Sequence, residues 1–159
     1  MDLIEAIKSR RSIRGFKPDP VPREVLHQLV EGARWAPSWE NVQPWELTVV
    51  GGDKMEELRR ELLAVADSGA EAAPEIPVQR FNEPYLSRRR SLGYRIVFDT
   101  LKIAREDQER RRWWRLKNTT LFGAPSAIFI CIDRSLNEWS IFDAGMLAQT
   151  LMLAAQQYG

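Results

Sequence analysis

The most informative stretch of the chain is Ala36-Pro37-Ser38-Trp39-Glu40-Asn41-Val42-Gln43-Pro44-Trp45, a polar loop bounded by prolines. An apolar stripe over residues 25–33 predicts a helix before it, which Pro37 ends because a proline disfavours helical backbone in the residue that precedes it. The β-rich run 46–50, followed by two glycines, predicts a strand after it. The stretch therefore predicts a rigid connection from a helix to a strand.

The elements around this connection predict a mixed α and β protein. Asp2, followed by Glu5, is typical of a helix-capping box. A near-continuous apolar run at 126–132 predicts a strand covered on both faces. Apolar residues surround most of the last helix, so we expect it to be buried all round. The remaining predicted elements are a first helix ending near Arg10 or Arg11, a helix at 54–67, a helical region at 88–121 broken near Arg110, and the last helix at 138–158.

Length and composition narrow the class of protein. A chain of 159 residues, 44% of them hydrophobic, suits one domain with a substantial core. A net charge of +1 excludes a strong overall attraction to nucleic acid or to an anionic membrane. The most apolar stretch, 141–155, is shorter than the roughly 20 residues that a membrane-spanning helix needs. The single cysteine, Cys131, excludes a disulfide within the chain and indicates a reducing, cytoplasmic setting.

The loop at 36–45 carries side chains suited to ligand binding. Ser38, Asn41 and Gln43 can form several hydrogen bonds from a backbone fixed by prolines, which suits the polar edge of a heteroaromatic ring. Three of the six tryptophans, at positions 35, 39 and 45, lie in the same region. They indicate either a pocket for a flat ligand or ordinary core packing, and a tight turn with buried tryptophans remains the alternative for the whole loop.

A second polar cluster lies at the end of the first predicted helix. Arg10, Arg11, Ser12 and Arg14 place three guanidinium groups and a hydroxyl together. Guanidinium groups donate paired hydrogen bonds to phosphate oxygens, and serine adds another donor. Favourable interaction of Arg10 and Arg11 with the negative end of the helix dipole is the alternative interpretation.

Taken together, these motifs resemble the FMN-dependent nitroreductase family. The family shows an Arg-Arg-Ser-x-Arg run followed, about one helix later, by Pro-Ser-x-x-Asn-x-Gln-Pro-Trp. Both occur here in order, at 10–14 and 37–45. Two further matches are Phe-Gly-Ala-Pro at 122–125 and Asp-Ala-Gly at 143–145, the latter followed by Gln149 and the apolar run 151–155. The resemblance covers nearly the whole chain, and family members continue beyond the Tyr-Gly at which this sequence stops.

The resemblance implies an α+β fold, a three-layer α/β/α sandwich with a mainly antiparallel central sheet. Residues 1–159 would form a single nitroreductase-like FMN-binding domain whose sheet is here incomplete, with the C-terminal part of the family domain missing. The working unit would be a homodimer with two FMN sites at its interface, and the last helix would form much of the dimer core. The implied cofactor-binding residues are Arg10, Arg11, Ser12 and Arg14 from one subunit, and Pro37, Ser38, Asn41 and the nearby Gln43 from the other.

The implied activity is electron transfer from NADH or NADPH to a nitroaromatic or quinone-like acceptor by a ping-pong mechanism. The flavin performs the hydride chemistry, so no side chain is assigned as a catalytic acid or base. No metal is expected, because the only histidine, His27, has no candidate ligands beside it and suits a solvated helix face. A second hypothesis is a catalytically impaired remnant that persists as a dimerisation or interaction module.

Three other features carry weaker hypotheses. Cys131 lies in the predicted buried strand and is expected to be inert. Asp143, within an apolar helix, is expected to act as a cap or to pair with an arginine across the dimer interface, because an unpaired buried charge is costly. Arginine clusters at 88–90 and 110–112, the second followed by two tryptophans, could contact nucleic acid, but acidic neighbours favour a solvated helix face and no nucleic-acid partner.

Overall fold

The computed structural model describes residues 2–71 and 73–158. Within them, helices dominate and two strands form one small sheet. Short 3₁₀ turns lie at Trp39–Asn41 and Leu121–Gly123, and a π-helical segment, Arg95–Thr100, continues the fourth helix. The elements are α1 (Leu3–Ser9), α2 (Arg23–Ala33), β1 (Trp45–Gly51), α3 (Asp53–Asp67), α4 (Tyr85–Tyr94), α5 (Gln108–Thr119), β2 (Ser126–Ile132) and α6 (Glu138–Ala155).

Side-chain caps determine where several helices begin. The Asp2 carboxylate accepts the backbone N–H groups of Ile4 and Glu5, which confirms the predicted capped start of α1. Asp107 caps α5 by accepting the N–H of Arg110 at 2.9 Å. The helical region at 88–121 is therefore interrupted before residue 108, and the prediction of a break near Arg110 placed it too late in the chain.

The sheet consists of β1 and β2 paired antiparallel, in a register that runs from Trp45 opposite Ile132 to Gly51 opposite Ser126. A Cβ atom at Gly51 would lie only 3.1 Å from the Ser126 hydroxyl oxygen, so the Ser126 side chain would have to shift slightly to admit a side chain there. The α+β class and the antiparallel pairing agree with the sequence prediction.

One face of this sheet is open, so the prediction that β2 is covered on both faces is wrong. Side chains alternate across a strand. Ile130 packs on the core, whereas Phe129 is 37% exposed and Cys131 is also exposed. Their cross-strand neighbours Thr48 and Glu46 are exposed too. The prediction that Cys131 is buried is therefore also wrong, because an apolar run records hydrophobicity but not whether a second layer covers it.

The core of this part of the molecule lies where α2 packs on α6 and α6 packs on β2. Ala33, Ala36 and Leu147 are at most 3% exposed and form its centre. Full burial of a leucine side chain such as that of Leu147 stabilises a fold by roughly 1.5–3 kcal/mol. Trp45, Leu47, Ile130 and Leu151 pack around this centre.

Helix α6 has one buried face and one exposed apolar face, so the prediction of burial all round is wrong for a single chain. Asp143 and Leu147 are buried, but Phe142 is 65% exposed, and Ile141 and Met152 are also exposed. The apolar composition of the helix cannot distinguish burial within a chain from burial by something outside it. No helix in the described part of the chain is long and apolar enough to cross a bilayer.

The chain divides into two compact units, Met1–Glu57 with Gly123–Gly159, and Leu58–Phe122. The first contains the sheet, α1, α2 and α6, and it also contains every residue predicted to bind the cofactor. The second contains α4 and α5 and most of α3. A division by contacts does not test whether residues 1–159 form one domain of the family. The prediction of a single domain therefore stays a prediction.

Candidate cofactor-binding site

The loop between α2 and β1 is closed by its own hydrogen bonds. The Ser38 hydroxyl accepts the backbone N–H of Gln43 at 2.9 Å. The Ser38 carbonyl accepts the N–H of Asn41 at 3.1 Å, and the Trp39 carbonyl accepts that of Val42 at 3.0 Å. The loop is therefore a compact turn with a defined shape, as the proline-bounded sequence predicts.

Left-handed backbone gives this turn its shape. Glu40, Asn41 and Gln43 have φ angles of 47°, 56° and 50°. Residues with side chains occupy this region at a cost of about 1–3 kcal/mol each, and asparagine tolerates it better than most. Such strain persists only where surrounding contacts hold the backbone. The shape of the loop must therefore be supported from outside it.

Helix α6 supplies that support. Both carboxylate oxygens of Asp143 accept the backbone N–H of Trp39, at 3.1 and 3.2 Å. The indole of Trp139 lies against that of Trp39, with 5.6 Å between the ring centroids. The expectation that Asp143 caps a backbone group is confirmed. The group that it caps begins the 3₁₀ turn Trp39–Asn41 within the loop and does not belong to an α-helix.

An open cleft of about 450 Å³ lies beside the loop. Three of the predicted cofactor-binding residues, Pro37, Asn41 and Gln43, line it together, whereas Ser38 acts within the turn as the acceptor for Gln43. Glu31 and Arg34, which were not predicted from the sequence, form an ion pair at 3.0 Å and also line the cleft. Residues three positions apart are neighbours on a helix, so the sequence could have predicted this ion pair at the end of α2.

The three tryptophans of this region have different environments. Trp45 packs against the core, as one of the two sequence interpretations expected. Trp35 is 88% exposed and lines the cleft, which agrees with the other interpretation. Trp39 is 61% exposed and contacts Trp139. The cluster is therefore part core and part pocket wall.

Gln43 also lines a second cleft, of about 390 Å³. It is lined by the start of β1 and the end of β2, including Cys131 and Asp133. The pKa of Asp133 lies below its ordinary value because the hydroxyl and then the backbone N–H of Ser135 donate to its carboxylate, at 2.6 and 2.8 Å. Gln43 thus reaches both clefts from one position in the strained loop.

The arginine-rich segment, residues 10–14, follows α1 as non-helical chain, half-buried at Arg10 and exposed from Arg11 onward. The Arg11 guanidinium donates to the carbonyls of Lys8 and Arg10, and that of Arg14 donates to the carbonyl of Ser12 at 3.1 Å. These bonds stiffen the segment and leave its charges at the surface. None of the described residues from 10 to 14 lines the cleft beside the loop. The two predicted parts of the site therefore do not share a cleft in one chain.

The arginine cluster at 110–112, in the second unit, forms hydrogen bonds and an ion pair with other residues of that unit. The Arg110 guanidinium donates to two carbonyls of the segment before α5, and Arg111 donates to the carbonyl of Arg105 at 3.1 Å. Arg112 forms an ion pair with Asp67 at 2.7 Å. These contacts attach α5 to its surroundings, which favours a structural role over nucleic-acid contact. In the described part of the chain, no group of three acidic, histidine or cysteine side chains is arranged to hold a metal.

Comparison with known proteins identifies the family. The family model described as "Nitroreductase family" matches residues 7–159. The chain is 32% identical to a 4-nitrobenzoate reductase of Pseudomonas putida, in an alignment that covers 99% of this chain and 69% of that protein. It is also 32% identical to nitroreductase NfnB of Mycolicibacterium smegmatis, over 100% of this chain and 70% of that protein.

Solved structures give the same result. The FMN-dependent nitroreductase NfnB from Mycobacterium smegmatis in complex with NADPH superposes with a TM-score of 0.91 at 30% identity, over 98% of this chain and 70% of that one. The FMN- and NADPH-dependent NfnB from sphigopyxis sp. strain HMH gives a TM-score of 0.92 at 32% identity, over 100% and 72%. The chain belongs to the nitroreductase family, and the prediction of a nitroreductase fold of the α+β class is confirmed.

Proposed function

We propose that this protein is an FMN-dependent oxidoreductase that transfers electrons from NADH or NADPH to a nitroaromatic or quinone-like acceptor. Membership of the nitroreductase family and the FMN- and NADPH-dependence of similar solved proteins support the proposal. The structural observation that carries it is the strained loop at 37–43, which presents Pro37, Asn41 and Gln43 to an open cleft.

The donor set fits FMN at both ends. A phosphate dianion takes charge-assisted hydrogen bonds from guanidinium groups, and Arg11, Ser12 and Arg14 are exposed beside one another. A guanidinium has several donor groups, so Arg11 can bind phosphate while it keeps its bonds to Lys8 and Arg10. Asn41 and Gln43 carry amides that both donate and accept, as the polar edge of a flavin ring requires. We assign Arg10, Arg11, Ser12 and Arg14 to the phosphate side, and Pro37, Ser38, Asn41 and Gln43 to the ring side.

Bound FMN would supply the redox chemistry, accepting hydride from the nicotinamide and passing electrons to the acceptor in a ping-pong cycle. The residues of the chain bind and orient, and none is assigned as an acid or base. Trp35, exposed at the cleft, offers a flat apolar surface against which an aromatic acceptor can stack.

The proposed working form is a homodimer with an FMN site at each side of its interface. Phe142 and Met152 lie on the exposed apolar face of α6, and a surface of this kind marks an interaction site in soluble proteins. A partner chain would supply the loop at 37–43 to the arginine segment of the first chain, which accounts for their separation within one chain. We further propose that residues 1–159 form one nitroreductase-like domain with the three-layer α/β/α arrangement in each subunit of this dimer.

The proposal is tested by purification followed by spectroscopy. We expect yellow protein, or colourless protein that takes up added FMN with a defined stoichiometry. NADH or NADPH should bleach the flavin band, and 4-nitrobenzoate or a benzoquinone should restore it. Initial rates should give parallel double-reciprocal lines, whereas intersecting lines would contradict the ping-pong cycle. Protein that takes up no FMN would contradict the proposal itself.

One alternative has an observation of its own. The apolar face of α6 is present whether or not flavin binds, so the protein could act as a dimerisation or interaction module without redox activity. That function predicts a colourless protein that is dimeric by sedimentation and takes up no FMN when excess FMN is added.

A further inference from the structure

Asp143 places a carboxylate within the apolar part of helix α6. Its side chain belongs to α6 and is 3% exposed. Removing a charge from water is costly unless hydrogen bonds or an opposite charge replace the water. Among the described residues, no lysine, arginine or histidine forms an ion pair with Asp143. Its recorded partner is the backbone N–H of Trp39, which both of its oxygens accept.

The Trp39 N–H, which Asp143 accepts, lies at the start of a helical turn, where the turn itself provides no acceptor for it. Trp39 begins the short turn Trp39–Asn41, and the first N–H groups of a helical turn have no partner inside the turn. A hydrogen bond to an ionised carboxylate is stronger than one between neutral groups. The bond therefore fixes the residue immediately before the strained positions Glu40 and Asn41.

A second contact from the same helix face acts on the same residue. Trp139 precedes Asp143 by four residues, so the two side chains lie on one side of α6. The Trp139 ring contacts the Trp39 ring, while Asp143 holds the Trp39 backbone. Helix α6 thus fixes Trp39 at two points, and the turn that presents Asn41 and Gln43 to the cleft starts from this fixed residue.

We infer that Asp143 is a positioning residue: it holds the Ser38–Gln43 turn in its left-handed shape through the Trp39 N–H and thereby prepares the turn to bind the flavin ring. The flavin part of this inference rests on the proposed function, and the hold on the turn rests on the geometry alone. Asp143 touches neither cofactor nor substrate, and its effect is transmitted by Trp39. It also links the shape of the turn to the helix that carries the exposed apolar face.

The experiment compares Asp143→Ala and Asp143→Asn with Ser140→Ala, each made in the whole 159-residue chain. Ser140 is a matched control because it is a buried polar residue on α6, one turn before Asp143. Hydrogen exchange of the Trp39 amide, followed by NMR, reports the hold on the turn. FMN titration by fluorescence, and kcat at saturating FMN, separate cofactor binding from turnover.

We expect exchange of the Trp39 amide to quicken by about ten-fold or more in Asp143→Ala, because a buried charge-assisted bond is lost. The dissociation constant of FMN should rise by about ten-fold or more, while kcat at saturating FMN stays within about three-fold of the native value, since FMN can still impose the turn. Asp143→Asn should give intermediate values, because its amide oxygen can accept the same N–H without the charge. Ser140→Ala should match the native protein.

Unchanged exchange of the Trp39 amide in Asp143→Ala would overturn the inference, as would a loss of kcat with no change in FMN affinity. If Asp143→Ala does not fold, the isosteric Asp143→Asn carries the test, and native exchange together with native FMN affinity in that variant would overturn it. Failure of the native protein to bind FMN would refute the proposed function. The exchange measurement would still decide whether Asp143 holds the turn.

Discussion

The Ser38 hydroxyl accepts the backbone N–H of Gln43 at 2.9 Å, across a turn that also contains two backbone hydrogen bonds and a 3.3 Å bond from the Gln43 side-chain amide to the Asn41 amide oxygen. The bond to the Ser38 hydroxyl joins the first and last residues of the turn. Between them, Glu40 and Asn41 adopt left-handed backbone that an isolated peptide would avoid. Ser38 therefore contributes to the proposed flavin site mainly by closing the turn.

Ser38→Ala is expected to weaken FMN binding without unfolding the protein. The Gln43 N–H would lose its acceptor, but the bond lies at the surface and water can replace it, so the loss should be about 0.5–1.5 kcal/mol. That corresponds to a rise of up to about ten-fold in the FMN dissociation constant, measured by fluorescence titration. Ser38→Thr keeps the hydroxyl and should restore most of the affinity. Equal affinities for the alanine and threonine variants would contradict the assigned role.

Arg14→Gln is expected to lower the affinity for FMN but not for riboflavin, which lacks the phosphate. Loss of one charge-assisted bond is worth about 1.5–3 kcal/mol, or roughly ten-fold or more in affinity. Lys17→Gln removes the same charge from an exposed site close by and is the control. A parallel loss for both ligands would show that Arg14 supports the fold rather than the phosphate.

Gly32→Ala is expected to stabilise the contact between α2 and α6. A Cβ atom at residue 32 would lie 3.9 Å from that of Ala154, an ordinary contact distance. Replacing a helical glycine by alanine gains roughly 0.5–1 kcal/mol. The melting temperature should therefore rise by about 1–4 °C. Gly93→Ala is the control, because a Cβ atom at this position on α4 would contact nothing and the variant therefore measures only the gain in helix propensity. A lower melting temperature for Gly32→Ala only would show that the two helices cannot accept the methyl group.

Phe142→Glu is expected to prevent formation of the proposed homodimer, because it places a charge within the apolar face of α6. Sedimentation at micromolar concentration should show the native protein as a dimer and the variant as a monomer. Val65→Glu introduces the same charge at another exposed apolar residue, on α3, and should leave the dimer intact. Identical sedimentation of all three proteins would refute the α6 interface.

Features that depend on neighbouring residues were predictable from the sequence. The bounds of β2 match the predicted 126–132, and the start of α1 was predicted because Asp2 caps groups only two and three residues away. The break before α5 has the same kind of signal, since Asp107 caps its first turn. A continuous run of charges concealed that cap and shifted the predicted break to Arg110.

Features that depend on distant residues were not predictable. Asp143 could be recognised as a buried charge that needs a partner, but Trp39 lies 104 positions away, and only the folded chain brings them together. Whether a layer covers Cys131 likewise depends on elements far along the chain. The motifs at 10–14 and 37–45 were sufficient to identify the family, because each is a short stretch of contiguous residues that can be read directly from the sequence. They did not reveal that the residues lining the cleft include Glu31 and Arg34.

The two-stranded sheet also bears on how the protein behaves at high concentration. Within the described residues, β1 and β2 each pair on one side only, so each has one edge without a strand partner. Open edges of this kind are templates for strand addition and aggregation, and a net charge of +1 provides little repulsion between molecules. Association through strand edges would bind thioflavin T and would persist in Phe142→Glu, which distinguishes it from a dimer formed through α6.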